Sequence, residues 1–97
     1  MRPQGGSMNK TIVTVVGRDR VGIIAAICTY LAENNVNIRD LSQTITDGFF
    51  NMMMVVDITA SPKKFSVLSD EIAELGEELG MQIRMQQEDI FDAMHRI

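Results

Sequence analysis

The spacing of apolar and polar positions changes several times along this chain, and each change marks an element. "TIVTVV", residues 11–16, is β-branched at every position, which predicts a strand. Residues 17–20 break the pattern as a loop. From Gly22 to Asn34 the apolar residues Ile23, Ile27, Tyr30 and Leu31 recur at helical spacing. Asp19 is placed to cap that helix at its start, and Asn34 and Asn35 suit the left-handed conformation that ends one. "VNIRDLSQTIT" (36–46) and "FFNMMMVVDIT" (49–59) read as strands on either side of Asp47-Gly48, the residue pair of a tight hairpin turn. Ser61-Pro62 opens a second helix running to Leu79, in which Phe65, Leu68, Ile72, Leu75 and Leu79 form one apolar side; Gly80 stops it. Met81 to Gln87 alternates as a last strand, and Ile90, Phe91, Met94 and Ile97 give a short amphipathic helix after it.

The order βαββαβ predicts an α+β, ferredoxin-like fold: a four-stranded antiparallel sheet with two helices on one face, plus the short C-terminal helix. Right-handed crossovers give the sheet order 4-1-3-2, so the 36–46 strand is an edge. It contains neither Pro nor Lys and reads as open to pairing with another chain. In the 49–59 strand, Phe50, Met52, Met54, Val56 and Ile58 face the helices, leaving Phe49, Met53 and Val55 on the other side. Each apolar side chain left wet forgoes ~1.5–3 kcal/mol, so some cover is expected there. Self-association supplies it; a folded-back C-terminal helix and plainly tolerated apolar surface are the alternatives.

The chain has 97 residues, enough for one core, and a formal net charge of −4 from 13 acidic and nine basic side chains. That balance opposes binding to a phosphate backbone. No apolar run approaches the ~20 residues that span a bilayer, and a single cysteine, Cys28, allows no internal disulfide; both point to a cytoplasmic protein without membrane association. "MRPQGGS" (1–7) is non-periodic and precedes a second methionine, so it reads as a leader, with residues 8–97 as the single domain.

Candidate chemistry is sparse. The one histidine, His95, stands two residues from the end, Cys28 lies mid-helix among apolar neighbours, and no set of residues has the spacing of a metal site. No enzyme, cofactor or metal is expected. What remains is the loop "GRDRVG" (17–22). Gly17 and Gly22 let the backbone approach a bound group, the free amides at the helix start favour an anion, and Asp19 can accept from an ammonium group, a combination suited to a zwitterion. The alternative, that Asp19 only caps the helix and both arginines are solvated, stays open on spacing alone.

"VVGRDRVGIIAAICTYLAENNVNI" (15–38) resembles the start of an ACT domain, a small-molecule regulatory module whose pattern runs strand, G-x-D-R-x-G-I/L, helix, then an N-I strand start. The resemblance spans about residues 10–88. The hairpin "DGFFNMMMVVD" also resembles the ACT segments of formyltetrahydrofolate deformylases and glycine-cleavage repressors. The whole chain, with its ending "IFDAMHRI", is similar to short stand-alone ACT proteins. The resemblance implies amino-acid binding between two domains, held by the first loop and the start of the second strand. By position it implicates Gly17, Asp19, Val21, Gly22 and Ile23 together with Asn37 and Ile38. Some serine-sensing relatives carry a side-chain donor where Gly17 stands.

Helix one returns the chain to the opposite end of the sheet, so Asn37 is expected far from Asp19 in one subunit. Two 36–46 edges paired antiparallel would bring Asn37 of one copy toward the 17–22 loop of the other. A helix-start contact contributes ~0.3–1 kcal/mol, whereas micromolar to millimolar binding requires ~4–8 kcal/mol, so one loop does not suffice. The expectation is a homodimeric module with a shared site for a small amino acid or related metabolite. The alternative is a ligand-independent module that meets an unidentified protein partner through its helices or C-terminal segment. An acylphosphatase-like enzyme on the same fold is disfavoured, because the loop is not a phosphate cradle.

Overall fold

A computed structural model describes residues 10–87. The expectations for residues 1–7 and for the amphipathic stretch from Ile90 to Ile97 lie outside the described residues. Six elements follow one another: β1 (Lys10–Arg18), α1 (Ile23–Glu33), β2 (Asn37–Thr46), β3 (Phe49–Asp57), α2 (Phe65–Leu79) and β4 (Met81–Gln87). All neighbouring strands are antiparallel and the sheet order is β2-β3-β1-β4, the 4-1-3-2 order read from the sequence.

Local chemistry sets the element ends. Asn35 takes φ 59°, its N–H bonds the Ala32 carbonyl, and the Val36 N–H bonds the Leu31 carbonyl at 2.9 Å. This pair of bonds is a left-handed helix stop that satisfies the last carbonyls of α1. The buried Asn34 adds a side-chain bond to the Tyr30 carbonyl at 2.8 Å. Asp47 (φ 53°) and Gly48 (φ 80°) form the two-residue hairpin turn and hold Thr46 opposite Phe49.

Two ends differ from the sequence reading. β3 stops at Asp57 rather than at residue 59, because the Asp57 carboxylate accepts the Thr59 N–H and hydroxyl and turns the chain out of the ladder. α2 begins at Phe65 rather than at Pro62: the Ser61 hydroxyl accepts the Lys63 N–H, and Lys64 is extended.

The core lies between one face of the sheet and the two helices. Val13 and Val15 of β1, Phe50, Met52, Met54 and Val56 of β3, and Met81, Ile83 and Met85 of β4 meet Ile23, Ile27 and Leu31 of α1 and Leu68 and Ile72 of α2. The alternation expected for β3 is present: Phe49 and Met53 are 47% and 43% exposed on the far face, and Val55 is half-buried. β2 contributes no buried residue, and only Ile38 is half-covered.

On the outer side of the helix layer, Glu71 of α2 accepts hydrogen bonds from the Tyr30 hydroxyl of α1 and from Lys63 Nζ, both at 2.8 Å. The bonds from Lys63 and then Tyr30 hold the Glu71 carboxyl below the usual carboxylate range. Burial, then the bond to Glu71 and its charge, pushes the Tyr30 phenol up, so the hydroxyl remains a donor. A carboxyl lowered in the folded state adds stability above its unfolded pKa and loses it as pH falls through the folded value. The melting-temperature deficit of Glu71→Gln relative to wild type is therefore expected near neutral pH and should close in acid; a deficit independent of pH contradicts this pairing.

α2 approaches β4 closely at Gly76. A Cβ placed there would lie 2.7 Å from the Met81 carbonyl oxygen and 2.9 Å from Ile83 Cγ1. In an open helix, Gly→Ala gains ~1 kcal/mol, but here the added methyl meets backbone, and overpacking typically costs ~1–3 kcal/mol. The clash outweighs the propensity, so Gly76→Ala is expected to lower the unfolding free energy in a denaturant titration; an increase means that α2 can slide off β4.

Candidate functional site

The loop after β1 is fastened at two points. The Asp19 N–H donates to the Gly48 carbonyl at 2.9 Å, tying the loop to the hairpin turn. Arg20 Nη1 donates to the Leu79 carbonyl at 2.9 Å, tying it to the end of α2, where a cation also meets the negative end of the helix dipole. Between these ties and α1 stands Gly22, at φ 89° and ψ 0°, a conformation that favours glycine. No side chain caps α1, which leaves the N–H groups of its first turn available.

Beside that helix start is a cleft of about 250 Å³, lined by Asp19, Arg20, Gly22, Ile23, Ile24 and Ala25 from the loop and helix, and by Gln43, Ile45 and Phe50 from the hairpin. Asp19, the stem of Arg20 and the uncapped amides border the apolar Ile23 and Phe50, while the Arg20 guanidinium stays on the Leu79 carbonyl. The volume is below the ~300–1,000 Å³ usual for drug-sized ligands and suits a small metabolite. Its outer wall is β2, whose Ile45 is 54% exposed.

The structure divides the residues singled out in the sequence. Asp19, Gly22 and Ile23 line this cleft together. Asp19 does not cap α1: the cap position belongs to Gly22, and the Asp19 side chain is exposed. Val21 projects fully into solvent. A Cβ at Gly17 would lie 2.6 Å from Met81 Sδ, so a larger residue there requires the Met81 side chain to move. Gly17 borders a separate cleft of about 440 Å³ with Val16, Arg18, Phe49 and Met81, where the Arg18 guanidinium sits 5.4 Å from the centre of the Phe49 ring.

Asn37 and Ile38 lie at the other end of the sheet. Asn37 pairs with Asp57, which pairs with Lys10, whereas the loop follows Arg18, eight residues further along β1. At ~3.3 Å per residue the separation is roughly 26 Å. Within one chain these residues do not meet the loop. Ile38 pairs with the buried Val56 and so shares the helix side of the sheet with the cleft; Asn37 pairs with Asp57 on the opposite face.

Arg20, Gln43 and Ile45 did not emerge from the sequence as site residues. A signal for the last two was present: a two-residue Asp47-Gly48 turn fixes Ile45 opposite Phe50 and Gln43 opposite Met52, on the helix side. Arg20 had none, because its partner is a backbone carbonyl 59 residues away. Among the described residues no group of three or more His, Cys, Asp or Glu side chains could hold a metal ion, and no helix is long and apolar enough to cross a membrane.

A chain with this sheet order and a cleft at the β1–α1 loop has the architecture of a small-molecule regulatory domain, and comparison with known proteins agrees. The model of the ACT domain family matches residues 9–86, and the chain belongs to that family. It is 56% identical over 90 residues to a UPF0237 protein of Bifidobacterium longum, covering 93% of this chain and all of the relative. Among solved structures, an ACT domain protein from Streptococcus pneumoniae is 40% identical with a TM-score of 0.75, covering 84% of this chain and 92% of that one. A formyltetrahydrofolate deformylase from Pseudomonas syringae pv. tomato shares the fold at a TM-score of 0.74 and 24% identity, over 79% of this chain and 26% of the enzyme.

Proposed function

We propose that the chain senses a small amino acid or a closely related metabolite, bound in the Asp19–Gly22 cleft and enclosed by a second copy of the chain. The observation that carries this reading is the composition of the cleft. Asp19 and Arg20 line the cleft beside the uncapped start of α1, with the Arg20 guanidinium held at the Leu79 carbonyl, and the far wall is a sheet edge unpaired among the described residues. An ammonium group fits Asp19, and a carboxylate fits the first-turn amides of α1. These contacts alone fall short of the ~4–8 kcal/mol of micromolar to millimolar binding.

The rest comes from the second subunit, which adds contacts and excludes water where a strand would continue the sheet beyond Gln43 and Ile45. Ligand binding then favours the paired state, because only that state has the complete site. The regulatory output is this shift in assembly, read by whatever protein meets the paired form. Family membership supports the class of function, and the arrangement of charges supports an amino acid over a neutral or purely anionic ligand.

A thermal-shift screen of the free amino acids tests the reading. At a concentration a hundredfold above Kd, a ligand adds about 2.7 kcal/mol to the folded state. For a domain of this size that raises Tm by roughly 10 °C or more. One small amino acid is expected to give such a shift, and Asp19→Ala is expected to abolish it without lowering the ligand-free Tm. A screen with no responder on well-folded protein contradicts it.

A further inference from the structure

The open edge of β2 carries a lock that the sequence does not announce. In a hairpin closed by a two-residue turn, the flanking residues exchange both backbone bonds, and the pairs then alternate between bonded and non-bonded. Thr46 and Phe49 flank the turn, so Thr46, Thr44, Ser42 and Asp40 bond inward to β3. Ile45, Gln43 and Leu41 therefore turn their backbone groups outward, to the edge. The Leu41 N–H confirms this parity, since its partner is not on β3 but is the Asp40 carboxylate, at 2.9 Å. Beyond Asp40 the ladder is interrupted between Ile38 and Asp40, and Arg39 pairs with Asp57 at 3.6 Å. Among the described residues the edge is thus open at Gln43 and Ile45, occupied at Leu41 and bulged at Arg39. Edge strands commonly carry such guards against unwanted pairing.

We infer that Asp40 is a register gate on the pairing of two β2 edges. The inference rests on the homodimeric reading above. Three antiparallel registers about a two-fold axis centred on this stretch use the outward amides, and in one of them, centred on Ser42, Leu41 of each copy meets Gln43 of the other. Centred on Thr44, Gln43 of each copy meets Ile45 of the other, and Leu41 is not needed. Centred on Gln43, Gln43 meets its own counterpart and Leu41 meets Ile45 at both ends, a longer ladder that requires both Leu41 N–H groups.

Only the registers that need the Leu41 N–H serve the cleft. The longer one carries Asn37 and Ile38 of the second copy just past Thr46, alongside the Asp47-Gly48 turn, whose Gly48 carbonyl holds Asp19. The Thr44-centred register moves them two residues, or ~7 Å, further out. While Asp40 holds the Leu41 amide, the longer ladder loses the bonds that distinguish it. When the carboxylate swings away, those bonds form across the interface and the second copy reaches the ligand loop. Asp40 thereby sets the fraction of the protein that is competent to bind.

The test is sedimentation equilibrium of the full chain, free of amino acids, as wild type, Asp40→Ala, Asp40→Asn and Gln43→Pro. Asparagine keeps an acceptor oxygen but no charge, and alanine removes both. A proline at an edge position whose N–H faces outward spares the β3 ladder; circular dichroism checks that it folds. With two Leu41 amides released per dimer, Asp40→Ala is expected to tighten dimerisation roughly tenfold, Asp40→Asn to stay near wild type, and Gln43→Pro to be monomeric.

Equal tightening by alanine and asparagine identifies charge repulsion and overturns the gate. An unchanged Asp40→Ala beside a monomeric Gln43→Pro also overturns the gate but leaves edge pairing standing. Absence of any dimer in wild type and Asp40→Ala overturns both. The alanine and asparagine arms decide the matter even if Gln43→Pro fails to fold.

Discussion

The two helices cover one face of a four-stranded sheet unequally, and that asymmetry governs everything else about the molecule. Together they bury almost all the inward residues of β1, β3 and β4, while β2 has no buried residue. β2 is therefore held by its ladder to β3 and by the Asp47-Gly48 turn rather than by burial. An edge strand held in this way presents backbone donors on its outer side and partly exposed apolar side chains, Leu41 and Ile45, the second of them in the cleft beside the start of α1. Helix placement, sheet order and the cleft beside α1 are consequences of one packing arrangement.

The β1–α1 loop is the point at which the arrangement becomes chemistry. Its backbone is tied to the hairpin through Gly48, and its Arg20 side chain is tied to the end of α2 through Leu79. A loop joined to both neighbours fixes its backbone and the Arg20 side chain without burying either. It also links whatever occupies the cleft to the hairpin that carries the edge strand. Gly22 completes the device, because its left-handed backbone turns the chain into α1 while leaving the first amides uncapped.

Most of the fold was legible because period and turn chemistry agree along the chain. The β-branched run of β1, the Asp-Gly turn and the helical spacing of Ile23, Ile27 and Leu31 each specify one element, and the order of elements leaves one sheet topology. Element ends were less legible where a single side chain decides them: Asp57 ends β3 early, and Ser61 delays α2. The site was half legible. Asp19, Gly22 and Ile23 are neighbours in sequence and in space, but a capping role for Asp19 was a reading of residue type without the third dimension, since Gly22 holds the cap position. Gly17 borders a different cleft, where Met81, 64 positions later, lies against it. The guard at Leu41 was invisible for a related reason: an aspartate in a strand looks like a solvated charge until the direction of the next amide is known.

On the proposed function, the outer backbone of β2 pairs with a second copy and thereby closes the cleft. Residue-resolved hydrogen exchange measured at increasing protein concentration addresses it directly. The Gln43 and Ile45 amides should be unprotected at low concentration and gain protection together as concentration rises, while Thr44, bonded inward to β3, stays protected throughout. If Gln43 and Ile45 exchange like free amides at every concentration, β2 does not pair and the shared cleft does not form.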